Sequence, residues 1–262
     1  MQIVSVIVSL SVSIVLVLWI VKLKKDKPFP KGSVTKMLAF GALSAIVVGI
    51  ITIVVALGAA VWSIGPDTAM HILSLPDAER PAALQEVVGK LNINASAPSV
   101  LRVFLKTFFT IGLVEELAKY FFAWISLRKK DVAKNWLDVV LVCALVGLGF
   151  QMMEDFTYAS GNMISAIFRA VTPFHFVFGA CMGYFLGKAK VESKPAYVAA
   201  AILVPTLAHS LFDTGVNLAS YKEYEVLALL LVLAMALVLL AAFVVELVLI
   251  NKWHKAGTPK LP

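Results

Sequence analysis

Long runs of apolar residues dominate the chain, and most charged residues lie in the short stretches between them. Each run is about 20 residues long, which is enough for an α-helix to cross the ~30 Å of hydrocarbon in a bilayer. Strands of a membrane barrel would instead alternate apolar and polar residues over short segments. The pattern predicts seven membrane-spanning helices, at residues 3–21, 37–63, 99–127, 136–154, 163–187, 196–219 and 226–250.

Composition agrees with this interpretation. Hydrophobic residues make up 60% of the 262 residues, charged residues only 15%, and the mean hydropathy is +0.90. These values exclude a water-soluble globule, in which about a quarter of the residues are charged. Cys143 and Cys181 both lie inside apolar runs, so we expect packing residues and neither a disulfide framework nor a zinc ribbon. The predicted fold class is an all-α, polytopic transmembrane helix bundle forming one integral membrane domain over residues 1–262.

The distribution of basic residues predicts the orientation of the bundle. Of the 23 Lys and Arg residues, 16 lie in alternate inter-helix segments and the C-terminal tail, and only 3 lie in the opposite loops. Because positively charged loops stay in the cytoplasm, the N-terminus is expected outside and the C-terminus inside. The run at 3–21 is expected to remain as an anchor, since no positive charge precedes it. Topology and anionic lipid headgroups thus explain the net charge of +7, and no nucleic-acid partner is expected.

The longest loop on the predicted outer side covers residues 64–98. Leu84, Val87, Val88 and Leu91 recur at helical spacing within it, which predicts a short amphipathic helix on the outer surface. Such a helix could act as a lid or as a linker, and the pattern favours a linker.

Ionisable residues inside the apolar runs are the most informative feature of the sequence, because each is costly in hydrocarbon and usually faces a bundle interior. They cluster in the third to sixth predicted spans, whereas the first two spans have none and the seventh has only Glu246. The clustered residues are Glu115, Glu116, Lys119, Glu154, Asp155, Arg169, His175, His209 and Asp213. The sequence therefore predicts a polar core that is built by these four spans.

The depth of these residues can be estimated from a rise of ~1.5 Å per helical residue. Glu115, His175 and His209 each lie roughly 18–20 Å from the predicted inner boundary, and Glu154 and Asp213 lie near ~24 Å. The side chains are therefore expected to meet in the middle to outer part of the bilayer.

Spacing along single helices suggests local partnerships. Lys119 follows Glu115 by four residues and Glu116 by three, so it can neutralise one carboxylate while the other remains free as a base. The alternative is a purely structural ion pair that ties helices together. Asp213 follows His209 by four residues and could orient its imidazole.

Prolines and glycines predict local backbone features in the fifth and sixth spans. Pro173 and Pro205 precede His175 and His209 closely, so each histidine is expected to follow a helix kink. Glycine recurs every fourth residue through Gly179, Gly183 and Gly187, which predicts a face that packs closely against another helix.

Four short motifs in order resemble a known family. They are Glu115-Glu116-Leu117-Ala118-Lys119 (EExxK), Phe150-Gln151-Met152-Met153-Glu154-Asp155 (FxxxED), Arg169 with His175, and His209-Ser210-Leu211-Phe212-Asp213 (HxxxD). This pattern is similar to the PrsW family of intramembrane proteases, distant relatives of the CAAX-processing and bacteriocin-protection proteases. The resemblance covers residues 105–217, and the glycine-rich stretch 178–190 also resembles the family.

The resemblance implies hydrolysis of peptide bonds in membrane-associated proteins, with anti-sigma factors as the substrates of better-known bacterial members. CAAX-processing relatives carry EExxxR and a histidine where this chain has Glu154, so prenyl-protein processing is not expected. On this interpretation the catalytic core covers about 99–219, with accessory helices at 1–63 and 226–250.

The residues favour water activated by a carboxylate, because no serine or cysteine sits with a base and an orienting group. Glu115 or Glu116 would take the proton from water, and the sequence leaves open which one. His175 and His209 would share this activation or stabilise the oxyanion, and Glu154 would position water or substrate. The orienting residues would be Lys119, Asp155, Arg169 and Asp213.

A metal-dependent version competes with this mechanism. His175, His209 and Glu154 form a ligand set of two histidines and one carboxylate, as in hydrolytic zinc sites, although HExxH is absent. The metal-free version is preferred, and no cofactor is firmly implied.

A different class of function also remains open at the sequence level. Buried charges could hold a partner in a non-catalytic membrane scaffold, or carry protons or ions in a coupled transporter. Against transport, the sequence contains no repeated halves. We therefore expect a multi-pass protein of the cell membrane that contacts lipid and a membrane-anchored protein substrate, with an unknown oligomeric state.

Overall fold

The computed structural model describes residues 2–92, 98–158 and 163–261, and within these ranges the chain is almost entirely helical. The α-helices are α1 (Gln2–Leu23), α2 (Ser33–Ile64), α3 (Pro66–Ser74), α4 (Arg80–Asn92), α5 (Val100–Thr107), α6 (Leu113–Leu127), α7 (Trp136–Tyr158), α8 (Met163–Val171), α9 (Phe174–Glu192), α10 (Ala196–Leu218) and α11 (Glu225–Ala256). A π-helical turn, Phe108–Gly112, joins α5 to α6, and a short 3₁₀ turn, Lys222–Tyr224, precedes α11. The all-α class predicted from apolar periodicity is confirmed.

Six helical segments in the described ranges are long and apolar enough to cross a membrane. They are Ile3–Leu23, Ser33–Ile64, Trp136–Tyr158, Ala166–Glu192, Ala196–Leu218 and Lys222–Ala256. Each coincides with a predicted span, although α2 begins four residues earlier and α11 ends six residues later than the predicted bounds.

The remaining predicted span, at 99–127, is a helical run made of α5, the π turn and α6. It is not among these six because of its charge, since it carries Arg102, Lys106, Glu115, Glu116 and Lys119, more charged residues than the other spans. A π turn inserts one extra residue per turn and changes the rotation of the helix that follows it. The turn thus sets the direction in which the two glutamates of α6 point.

The predicted kink before His175 is a break between α8 and α9 at Thr172 and Pro173. Pro173 has no backbone N–H to continue the ladder of α8, and it occupies the N-cap of α9. Pro205, by contrast, lies inside an uninterrupted α10.

Helix α7 is the centre of the bundle, with every residue from Leu137 to Gln151 buried. Glycines allow its backbone to approach both neighbours. A Cβ on Gly149 would overlap the backbone of Leu38 in α2, and a Cβ on Gly147 would overlap the carbonyl of His175 in α9. These close contacts hold α2 and α9 on two sides of α7.

The glycine stripe of α9 is the closely packed face that its spacing predicts. A Cβ on Gly179 would meet the carbonyl of Cys143, and a Cβ on Gly183 would meet the backbone of Val140. Gly187 leaves room for the indole of Trp136, whose Nε1 donates to the carbonyl of Tyr184 at 3.0 Å. Small residues therefore place His175 of α9 directly against α7.

Polar contacts fasten the end of the bundle that carries the basic segments. Lys24, just after α1, donates to the Asp138 carboxylate at 2.7 Å, and this carboxylate also accepts from the backbone N–H of Lys134 at 2.9 Å. The C-terminal tail reaches the same place, where the N–H of Trp136 donates to the carbonyl of Pro259 at 3.1 Å. These contacts connect α1, α7 and the tail after α11.

The second half of α2 leaves the bundle. Residues 49–63 of this helix are exposed throughout, and their side chains carry no charge. Lipid is the natural surrounding for such a surface. Helix α4 coincides with the amphipathic helix predicted from Leu84 and Val87, while the side chains of Val88 and Leu91 lie outside the described part of the chain.

Candidate active site

The ionisable residues of the predicted core come together in one cluster beside a cavity of about 490 Å³. They are contributed by α6 (Glu115, Glu116, Lys119), α7 (Glu154, Asp155), α8 (Arg169), α9 (His175) and α10 (His209, Asp213). All of them are connected by the contacts described below.

Lys119 lies at the centre of the cluster and is almost completely buried. Its ammonium donates to Oε1 of Glu116 at 2.6 Å and to Nδ1 of His175 at 2.7 Å, and it lies 4.0 Å from Oε2 of Glu115. The ammonium also lies 4.4 Å from the centre of the Phe150 ring, within cation–π range. One cation is thus shared by two glutamates and a histidine.

The two adjacent glutamates occupy different environments. Glu116 is fully buried, and its Oε1 accepts from both Lys119 and Nδ1 of His209, the latter at 3.0 Å. Glu115 lines the cavity, whereas Glu116 does not, and Oε2 of each carboxylate is buried without a hydrogen-bond partner. Neighbouring side chains on a helix point about 100° apart. In the orientation that α6 has about its own axis, Glu116 therefore points into the packed interior and Glu115 points toward the cavity.

The protonation of His175 follows from its two partners. An ammonium group can only donate, so Nδ1 accepts from Lys119 and the ring proton of the neutral imidazole sits on Nε2. Nε2 lies 2.7 Å from Oε2 of Glu154, to which it donates. The backbone N–H of His175 donates to Oε1 of Gln151 at 3.2 Å, which fixes the start of α9. The ring is thereby held between a cation and a carboxylate.

His209 is surrounded by carboxylates. Its Nδ1 lies 3.0 Å from Glu116, and its Nε2 lies 3.3 Å from Oδ2 of Asp213 and 3.7 Å from Oε2 of Glu115. The ring stacks on Phe178 at 4.9 Å and lies 5.2 Å from the ring of His175. Nδ1 is directed at Glu116, and Nε2 is directed at Asp213 and Glu115, which line the cavity with the ring. The contact with Asp213 is the one that the HxxxD spacing suggests.

Arg169 holds the acidic pair of α7 in place. Its Nη2 donates to Oε2 of Glu154 at 2.9 Å, and its Nε donates to Oδ1 of Asp155 at 2.6 Å. Gln151 donates to the same oxygen of Asp155 at 3.1 Å. Because α8 and α7 are otherwise in limited contact, this ion pair fixes the carboxylate that His175 contacts.

The cavity combines this polar cluster with an apolar wall. Sequence reasoning did not single out most of the other lining residues, which are Ile111, Gln151, Tyr158, Phe168, Thr172, Phe174, Phe178, Phe212, Val216 and Asn217. One signal was present in the chain, because Phe168, Phe174 and Phe212 each directly precede a charged residue of the cluster.

Ser210 is the hydroxyl residue adjacent in sequence to His209, and it is buried against Gly112 of the π turn. Its Oγ has no hydrogen-bond partner, so no base activates it as a nucleophile.

The donors of the cluster also fit a metal ion. Glu115, His175 and His209 are buried, and one ligand atom from each lies within 4.8 Å of the others. This set contains Glu115 where the sequence suggested Glu154. Three protein ligands with a position left for water are typical of catalytic zinc, and the contact of His209 with Glu116 is the usual support for a ligating imidazole. Both ring nitrogens of His175 already have a partner, so binding the ion would require this ring to give up its contact with Lys119 or with Glu154.

Comparison with known proteins identifies the family. Residues 30–244 match the family described as "PrsW family intramembrane metalloprotease". Among similar curated proteins, the Protease PrsW of Oceanobacillus iheyensis is 34% identical over 116 residues, covering 42% of this chain and 54% of that protein. The Protease PrsW of Bacillus subtilis is 29% identical over 136 residues, covering 50% of this chain and 60% of that protein.

A third relative, the Protease PrsW of Clostridioides difficile, is 30% identical over 141 residues, covering 50% of this chain and 58% of that protein. The chain thus spans little more than half the length of the relatives it matches, and no solved structure matches it. The family match, together with six apolar helices, makes the protein a multi-pass integral membrane protein. Because the family match covers most of the sequence and includes the whole polar cluster, the chain belongs to the PrsW family of intramembrane metalloproteases.

Proposed function

We propose that this protein is an intramembrane peptidase that hydrolyses peptide bonds of membrane-associated proteins with water activated by Glu115. The observation that carries the proposal is the position of the Glu115 side chain, which lines the cavity, whereas Glu116 does not. A general base must reach the space where water and substrate meet. Glu116, which is bonded to Lys119 and His209, has no oxygen facing the cavity and acts on the site through these partners.

In this mechanism Glu115 takes a proton from water as the water oxygen attacks the substrate carbonyl carbon. His209 lies beside Glu115 on the cavity wall. As an imidazolium, with Nδ1–H on Glu116, it also has a proton on Nε2, which can donate to the carbonyl oxygen as negative charge develops there. The proton held by Glu115 then passes to the leaving amine. Glu116 and Asp213 orient the His209 ring from its two nitrogens.

A series of hydrogen bonds runs from Lys119 through His175 to Glu154 and forms a second polar wall of the site. His175 is held with its Nε2–H on Glu154, and Arg169 neutralises the same carboxylate from the other side. We propose that Glu154 positions water or the substrate backbone, with Arg169 and Asp155 as its orienting partners. If Glu115, His175 and His209 hold a zinc ion, that ion would polarise the substrate carbonyl and lower the pKa of bound water.

Chelation separates the two versions of the mechanism. The carboxylate version predicts that protein purified without chelator contains much less than one metal ion per chain and keeps its turnover after chelation. The zinc version predicts that turnover is lost on chelation and returns when zinc is added. Metal content measured on His209→Ala, with His254→Ala at the far end of α11 as the matched control, shows whether the cavity holds the ion.

The substrate class follows from the position of the cavity among membrane-spanning helices. We propose a membrane-anchored protein substrate, and anti-sigma factors are the first candidates to test because of the family resemblance. A non-catalytic scaffold or a proton-coupled transporter would use the same buried charges without cutting a peptide, so cleavage itself is the deciding measurement.

The direct test is Glu115→Gln assayed with single-span peptides, anti-sigma-factor spans among them, reconstituted in liposomes. Loss of a general base is expected to lower turnover by about 10²–10⁴-fold, while the protein remains folded because Gln preserves size and leaves the Glu116–Lys119 pair intact. The matched control is Glu246→Gln, which changes a buried carboxyl group of α11 outside the cavity. Unchanged turnover in Glu115→Gln would contradict the mechanism.

A further inference from the structure

Three phenylalanines from three different helices form one aromatic cluster in the cavity wall. Phe168 of α8, Phe174 of α9 and Phe212 of α10 all line the cavity. The ring of Phe174 lies 5.0 Å from Phe212 and 6.4 Å from Phe168, with edge-to-face geometry, and Phe168 stacks on Phe212 at 6.3 Å. Each ring therefore supports the other two, which gives the wall a defined shape.

The cluster is not part of the closed hydrophobic core. Phe168 is 39% exposed and Phe212 is partly exposed, whereas Phe174 is buried beneath them. Exposed rings occur elsewhere on the bundle, but these three belong to the lining of the cavity. They can therefore contact whatever enters the cavity.

The cluster is connected to the polar residues by the chain itself. Phe174 directly precedes His175, and Phe212 directly precedes Asp213. Adjacent side chains on a helix point about 100° apart, so each ring points in a different direction from the ionisable side chain that follows it. Glu115 and the three rings line the same cavity of about 490 Å³, so a peptide bond placed at the Glu115 carboxylate would have an adjoining side chain within reach of the rings.

We propose that Phe168, Phe174 and Phe212 form a subsite that takes one short apolar side chain of the substrate next to the bond that is cut. This inference rests on the proposed peptidase function and identifies the substrate feature that the cavity selects. A carboxylate side chain would be excluded because the rings offer it no hydrogen-bond donor. A large aromatic side chain would be excluded because the free space of about 490 Å³ must also hold the substrate backbone and the attacking water.

The test compares the ratio of kcat/KM for two peptides in the same enzyme preparation, so that the folded fraction of each variant cancels. The probes are single-span peptides that carry Ala, Leu, Phe or Asp at each position flanking the mapped cut. Phe212→Ala removes one ring and enlarges the subsite. At one flanking position it is expected to raise the ratio of kcat/KM for the Phe peptide to kcat/KM for the Ala peptide by at least about tenfold, because even one methylene group in an apolar pocket changes kcat/KM by about that factor. Phe212→Trp is expected to shift the preference further toward Ala.

Phe109→Ala is the matched control, because Phe109 is an exposed ring of the π turn that does not line the cavity. Its preference is expected to equal that of the original protein. Cleavage by both Phe212 variants with an unchanged preference would overturn the subsite and leave the peptidase proposal standing. Wild-type preference for Asp or Phe at both flanking positions would also overturn it. Absence of cleavage by the unaltered protein would contradict the peptidase proposal, and the subsite with it.

Discussion

Lys119 supplies the positive charge on which the buried part of the site depends. Its ammonium is within hydrogen-bond distance of Glu116 and His175, and its side chain is only 2% exposed. In a membrane-embedded core no bulk water replaces such a partner, so an unpaired carboxylate there is costly. The EExxK spacing is consequently as much a folding requirement as a chemical one.

Replacement of Lys119 by Met is expected to destabilise the protein, because it leaves Glu116 buried without its cation. Removing one partner of a buried ion pair costs about 3–5 kcal/mol. The expected result is a lower midpoint of thermal unfolding in detergent, together with loss of activity.

The double variant Lys119→Met/Glu116→Gln tests this explanation. Because it removes both charges, it is expected to unfold at a higher temperature than Lys119→Met alone. A double variant that is no more stable than the single one would show that the charge of Glu116 is not the cause.

Helix α7 illustrates how single atoms determine the arrangement of whole helices. Gly149 faces the backbone of Leu38 in α2, and Gly147 faces the carbonyl of His175 in α9. These contacts set the distance from α7 to both neighbours, and with it the positions of Glu154 and His175. A side chain at either glycine would push the helices apart.

Gly149→Ala is therefore expected to destabilise the bundle by about 1–3 kcal/mol, the usual cost of extra atoms in a well-packed interior. Gly58→Ala is the matched control, since a Cβ on Gly58 meets nothing within 4 Å in the exposed half of α2. Equilibrium unfolding in mixed detergent micelles measures both. Equal stabilities for the two variants would contradict the close approach of α7 to α2.

The whole molecule is polarised along the membrane normal by its basic segments. Four stretches at one end of the bundle carry 16 of the 23 Lys and Arg residues, counting the helix ends together with the segments that join them. They are residues 22–36, 128–134, 188–194 and 252–260. The Lys24–Asp138 ion pair and the C-terminal tail meet at this same end. The polar cavity lies nearer the other end, since its lining includes Tyr158 and Asn217 near the opposite ends of α7 and α10.

Cysteine accessibility is expected to reveal this orientation in a variant that lacks Cys143 and Cys181. Labels that do not cross the membrane should reach single cysteines on the basic side only from the cytoplasm, and those on the other side only from outside. The first group comprises Asp26, Asp131, Glu192 and Ala256, and the second comprises Arg80, Ser160 and Lys222. Labelling of Asp131→Cys from outside would contradict the predicted topology.

The same polarity predicts where a substrate is cut. A helix interior hides its carbonyls, so hydrolysis needs an extended peptide and water, both of which reach this cavity most easily from the outer side. Cleavage is expected in the outer half of a substrate span or in the adjoining extracytoplasmic stretch. A cut mapped by mass spectrometry to within a few residues of the cytoplasmic boundary would contradict this prediction.

Much of the architecture could be predicted from residue order, because the length and apolarity of a segment are properties of the chain alone. Six of the seven predicted spans coincide with long apolar helical segments. Glu115, His175 and His209, which helical rise placed at one common level, come together in one cluster. The glycine repeat of α9 identified its packing face, because small residues are needed wherever two helix backbones touch.

Rotation and contact between helices could not be predicted in this way. The choice between Glu115 and Glu116 depends on how α6 is turned after the π turn, and the apolar pattern of one helix does not specify that rotation relative to its neighbours. The same holds for the aromatic cluster of Phe168, Phe174 and Phe212, which joins residues from three helices. Depth is a one-dimensional quantity that chain length measures, whereas the direction of a side chain around its helix depends on how the neighbouring helices pack.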